Sequence, residues 1–173
     1  MSDLEVRLGI HELIAAYADC IDDDRLEEWP DFFVDECRYL VTDRDSHEAG
    51  LKHGVIYCAS RGMLADRVTS LRRVLMFEAH RYRHLVGPTR ILSLDGKIAD
   101  TRSNFFIARI MHTGETTLFA TGRYLDRIDV SRTPYRFIEV WQAPDDDRGQ
   151  SGTASSQGKY PVSIKAVIRT PLF

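Results

Sequence analysis

Glu78, His80 and His84 are the residues whose types and spacing come nearest to a metal site in this chain. A mononuclear iron site needs two imidazoles and one carboxylate converging on the metal, and on a helix two His four residues apart would share a face. Tyr82, Leu85 and Val86 instead begin a strand pattern across the same segment, which breaks that geometry, so no metal is expected here. One His with one carboxylate suffices for proton abstraction or dehydration, and Asp19, Asp43, His80 and His84 are the candidates. Six His in 173 residues yield such pairs by chance, so residue types alone assign no catalytic role. The run Asp22, Asp23, Asp24 lacks the Gly-containing pattern of a calcium loop, and capping or solvation is its expected use.

Other chemistries lack their signatures. A Rieske cluster takes two Cys and two His from paired loops, and none of the three cysteines, Cys20, Cys37 and Cys58, stands near another or in a Cys-x-His arrangement. Their odd number and wide spacing fit buried, reduced thiols in the cytoplasm. There is no Gly-x-Gly-x-x-Gly fingerprint, no phosphate-binding loop and no Gly-x-Ser-x-Gly elbow. A net charge of -3 with interspersed signs leaves no footprint for nucleic acid, and no apolar run is long enough to span a membrane.

The elements that must position these residues follow from periodicity. Leu4, Leu8, His11, Ile14, Tyr17, Ala18 and Ile21 predict an amphipathic helix capped by Ser2 or Asp3 and ending near Asp22. A second short helix is expected over 24–33, imperfect at Pro30, with Leu26, Trp29, Phe32 and Phe33 facing the core. A strand over 37–42, a loop over 43–48 and a long amphipathic helix over 60–75 capped by Ser60 come next. Strands then follow at 85–94, 99–111, 116–128 and 136–141, with turns at Asp95-Gly96 and His112-Thr113-Gly114-Glu115. Residues 145–159 read as a mobile polar loop and 162–168 as a last strand, all within one domain spanning 1–173. Helices first and long antiparallel strands afterwards argue for an α+β domain, a curved antiparallel sheet covered on one face.

The blocks Tyr17-Ala18, Ile21-Asp22, Trp29-Pro30, Phe32-Phe33 and Cys37-Arg38-Tyr39 resemble the opening of the small (beta) subunits of aromatic-ring-hydroxylating dioxygenases. His80 to Gly87, Ser103-Asn104-Phe105-Phe106, Ile110 to Glu115 and Gly122 to Asp126 continue the resemblance in the same order. It implies a nuclear-transport-factor-2-like (cystatin-like) cone, self-association as a trimer, and a hexamer of three large (alpha) and three small subunits. The Rieske [2Fe-2S] cluster and the mononuclear iron would then belong to the large subunit, and no catalytic, metal-binding or cofactor-binding residue carries over to this chain.

Arg81, Tyr82, Arg83, Arg123 and Tyr124 are the candidates for subunit contacts, since Arg and Tyr are enriched at interfaces. The region 140–173 departs from the family pattern, with only Pro171-Leu172-Phe173 matching the expected ending. The alternative is a free-standing isomerase or dehydratase of the same cone, which requires an apolar pocket where a His and a carboxylate converge.

Overall fold

The computed structural model describes residues 2–42, 56–74 and 80–144. The expected elements at 43–48, 145–159 and 162–168 lie outside the described residues, as do Asp43 and Glu78.

Helix α1 (Asp3–Asp22) starts at a capping box: the Ser2 hydroxyl accepts the Glu5 N–H at 3.3 Å, and the Glu5 carboxylate accepts the Ser2 N–H at 2.6 Å. Val6, Ile10, Leu13, Ile14, Tyr17, Ala18 and Ile21 are buried at three- and four-residue intervals, so one stripe of the helix faces the core. The helix ends where Asp24 takes a left-handed φ of 61°. The expected helix over 24–33 is reduced to a 3-10 turn at Trp29–Phe32, with Pro30 in its first positions and Phe33 already extended. A proline has no N–H to continue an α-helical ladder, which accounts for the short element.

Among the described residues, seven strands form one sheet: β1 (Phe33–Val41), β2 (Ile56–Cys58), β3 (His80–Val86), β4 (Arg90–Leu94), β5 (Ile98–Met111), β6 (Thr116–Asp129) and β7 (Arg136–Pro144). Their order is β2-β1-β7-β6-β5-β3, with β4 pairing a different stretch of β5 from β3. The sheet is mixed rather than wholly antiparallel, because β1 runs parallel to β7. The single strand expected over 85–94 is two, separated at Gly87-Pro88-Thr89, since Pro88 cannot donate to the ladder. Helix α2 (Arg61–Val74) lies between β2 and β3, and the Ser60 hydroxyl accepts the Met63 N–H at 3.2 Å, as its expected capping role requires.

One face of the sheet carries α1 and α2. Tyr17 from α1 meets Phe33 and Phe137 edge-on, and Trp29 stands nearly perpendicular to Tyr39 with centroids 5.2 Å apart. Trp29, Phe33 and Tyr39 are among the largest fully buried side chains, and burying each contributes about 2–3 kcal/mol. This aromatic block joins helix, 3-10 turn and the β1–β7 pair into one core.

Candidate functional site

Asp22, the last residue of α1, continues the buried stripe through Ile14 and Ala18 at four-residue steps, and its side chain is 2% exposed. It meets His84 of β3, whose ring is 3% exposed. One carboxylate oxygen accepts the His84 backbone N–H at 2.8 Å; the other lies 2.6 Å from Nδ1. Arg83 Nη1 stands 3.7 Å from the first of these oxygens. Both oxygens of Asp22 thus hold one residue of the edge strand, through its main chain and its ring together. A carboxylate engaged in this way anchors the end of α1 to β3 and fixes the orientation of the His84 ring.

Of the other acid/base candidates, Asp19 is exposed on α1 and contributes nothing to this pair. His80 is half-buried at the start of β3, with its ring edge-on to Tyr82 at 4.9 Å. Among the described residues, no group of three His, Cys, Asp or Glu is arranged to hold a metal ion.

Beside the pair lies the interior of the cone. Asp126 of β6 is buried opposite Thr101 of β5, and burial holds its carboxyl well above the usual carboxylate range. Its Oδ1 has no hydrogen-bond partner among the described residues. Burial likewise raises the phenols of Tyr17 and Tyr124. These three groups border a cavity of about 10 Å³. That volume is about the room one water needs, far below the few hundred cubic ångströms of a small-molecule site. A His and a carboxylate do converge, as an isomerase or dehydratase would require, and the cavity that the described residues border has room for about one water.

The three cysteines are buried, and burial raises each thiol, Cys20 to about 11. Cys20 Sγ donates to the Arg25 carbonyl at 3.0 Å, so this thiol helps to hold the turn after α1.

The opposite face of the sheet is different. Leu85 pairs with Phe106, Arg83 with Ala108, and Ala108 with Leu118, so these side chains share one face. Leu85, Phe106 and Leu118 are 66%, 54% and 60% exposed. Arg81 and Arg123 flank them and are exposed, whereas Tyr82 and Tyr124 alternate to the other side and are buried. Of the five expected contact residues, the three arginines therefore stand on the surface and the two tyrosines pack behind them. Leu85, Phe106 and Leu118 went unnoticed in the sequence because each strand's alternation was read without its partner's register.

A second open feature lies at the N-terminal half of α1. Leu8, Gly9, Leu13 and Phe32 with Tyr135 line a groove of about 820 Å³ together with Glu5, Glu12, Glu28, Asp31 and Arg136. Gly9 is required there, because a Cβ would sit 2.5 Å from the Tyr135 ring.

The helix-covered mixed sheet places the chain among nuclear-transport-factor-2-like cones. A protein of that description with a cystatin-like fold from Novosphingobium aromaticivorans superposes with a TM-score of 0.63 at 21% identity, covering 83% of this chain and 84% of that one. The family described as ring hydroxylating beta subunit matches residues 16–137, and this chain belongs to it. Subunit beta 2 of the terminal oxygenase component of terephthalate 1,2-dioxygenase from Comamonas sp is 48% identical over 113 residues, which cover 65% of this chain and 73% of that protein. A crystal structure assigned to the beta subunit of an aromatic-ring-hydroxylating dioxygenase from N. aromaticivorans has a TM-score of 0.75 at 38% identity, covering 82% of this chain and 90% of that one.

Proposed function

We propose that this chain is the non-catalytic beta subunit of a Rieske-type aromatic-ring-hydroxylating dioxygenase in aromatic compound catabolism, giving structural support to the large subunit that holds the [2Fe-2S] cluster and the mononuclear iron. The family match across residues 16–137 carries this reading. The cavity that the described residues border beside Tyr17, Tyr124 and Asp126 has room for about one water, which supports it. The chain works in the cytoplasm, where its buried thiols stay reduced. It assembles as a trimer and, with the large subunit, as a hexamer of three and three. Arg81, Arg83 and Arg123 are the contact residues, with Tyr82 and Tyr124 packed behind them.

Co-expression with a Rieske large subunit tests the reading. The expected outcome is co-purification at one-to-one stoichiometry, iron only in preparations containing the large subunit, and a trimer by sedimentation when this chain is alone. Stoichiometric iron in the isolated chain, or turnover of an aromatic acid by it alone, would overturn the proposal.

A further inference from the structure

The interior of the cone holds polar groups that its packing does not use. Asp126 and Tyr124 stand two residues apart on β6 and so point to the same side, and Thr101 of β5 is the direct register partner of Asp126. Asp126 is 6% exposed and Thr101 1%. Asp126 Oδ1 and Thr101 Oγ1 have no hydrogen-bond partner among the described residues, and neither has the hydroxyl of Tyr17 on α1. That hydroxyl lies beside the Trp29 indole and the Tyr39 phenol but meets neither in hydrogen-bond geometry. Buried polar groups in a native fold are almost always paired, with protein or with ordered water, so this cluster points to a shared partner.

Asp126, Tyr17 and Tyr124 border one cavity of about 10 Å³, and its remaining walls are apolar side chains of α1, β3 and β7. A cavity lined only by hydrocarbon stays dry, whereas one of this size with two or more polar partners takes a water. We propose that one ordered water is bound here, with Asp126 Oδ1 and the Tyr17 hydroxyl as its partners and Thr101 Oγ1, opposite Asp126, as the third group. Its donors and acceptors can all be matched, because a hydroxyl and a phenol each donate and accept. Burial of Asp126 favours the neutral acid, which likewise has one O–H to donate and an oxygen to accept. A divalent cation would want about six oxygen ligands and more than one carboxylate, which these residues do not offer. The site belongs to the folded chain itself, with or without a large subunit.

A crystal structure of the full-length chain that shows ordered solvent, with water-to-protein nuclear Overhauser contacts in solution, tests this. The expected result is one water within about 2.5–3.0 Å of both Asp126 Oδ1 and the Tyr17 oxygen. A lasting solution contact between that water and the Tyr17 ring should accompany it. Infrared difference spectra between wild type and Asp126→Asn should show the C=O stretch of a protonated carboxyl in the wild type at neutral pH. Asp126→Leu, close to the original side chain in size, should lose the water and the contact, whereas Asp126→Asn should keep both. The wild-type structure and spectra decide the matter if the leucine variant does not fold.

A direct bond from Asp126 Oδ1 to Thr101 or Tyr17 with no water between would overturn the proposal. So would a dry cavity, an ion or a larger molecule in the density, or an ionised Asp126 at neutral pH. A water that persists unchanged in folded Asp126→Leu would also overturn it.

Discussion

Phe105 and Phe106 are neighbours on β5, yet they belong to two different surfaces with two different duties. Phe105 is 1% exposed and stacks on Tyr124 with centroids 4.4 Å apart, on the face covered by α1. Phe106 points the other way and is more than half exposed opposite Leu85. The covered face is closed by aromatic packing and by a carboxylate spent on the backbone. The open face carries exposed apolar side chains, Leu85, Phe106 and Leu118, with arginines beside them. Among the described residues, then, the first face is a packed interior and the second is an exposed apolar surface.

The sharpest break of that contrast is the pair of alanine substitutions. Phe105→Ala should lower unfolding stability by about 3–5 kcal/mol, the cost of removing a buried aromatic ring. Phe106→Ala should leave the monomer within about 0.5 kcal/mol in denaturant titrations, as for other surface changes, and should instead weaken association measured by sedimentation. Equal losses of stability from the two would collapse the distinction between the faces.

Asp22→Ala comes next. It strands the His84 N–H and ring in a buried site, and a loss of about 3 kcal/mol is expected by chemical denaturation. Asp22→Asn keeps an acceptor for the backbone N–H and should cost less. A neutral Asp22→Ala would show that the helix end is not held by this contact.

Asp126 comes last, and the sign of its effect is informative. Its folded pKa is raised by burial, so the contribution it makes to stability is fully present below the unfolded value near 3.8 and is lost as pH rises through the folded value. At neutral pH the group therefore works against folding, and Asp126→Asn should be the more stable protein there. That advantage should shrink as the pH is brought below about 3.8, which paired denaturant titrations across pH would detect. An advantage independent of pH would mean that the carboxyl is not the source.

Much of this contrast was legible in the sequence, and the parts that were not share a cause. Helix α1 could be read from its stripe and from Ser2 with Glu5, because capping is local. Helix α2, the β5–β6 hairpin and the blocks that mark the family are local signals as well. The parallel pairing of β1 with β7 joins residues about a hundred positions apart and leaves no local mark; Arg38 opposite Glu139 appears only once the register is known. Gly87 and Pro88 did carry a signal for the break between β3 and β4, overridden in the reading by the apolar residues on either side. The candidate site followed the same rule. His84 was recognised, but Asp22 was assigned to solvent with its acidic neighbours, although its spacing from Ile14 and Ala18 put it on the buried stripe.

The bond from Asp22 to the His84 N–H also bears on what this sheet can become. Among the described residues β3 is a terminal strand of the sheet, and an open main chain there would offer a template for strands of other molecules. The end of α1 takes up one N–H of that border, so a chain whose first helix melts, with its sheet still formed, is expected to expose more of the strand to other molecules.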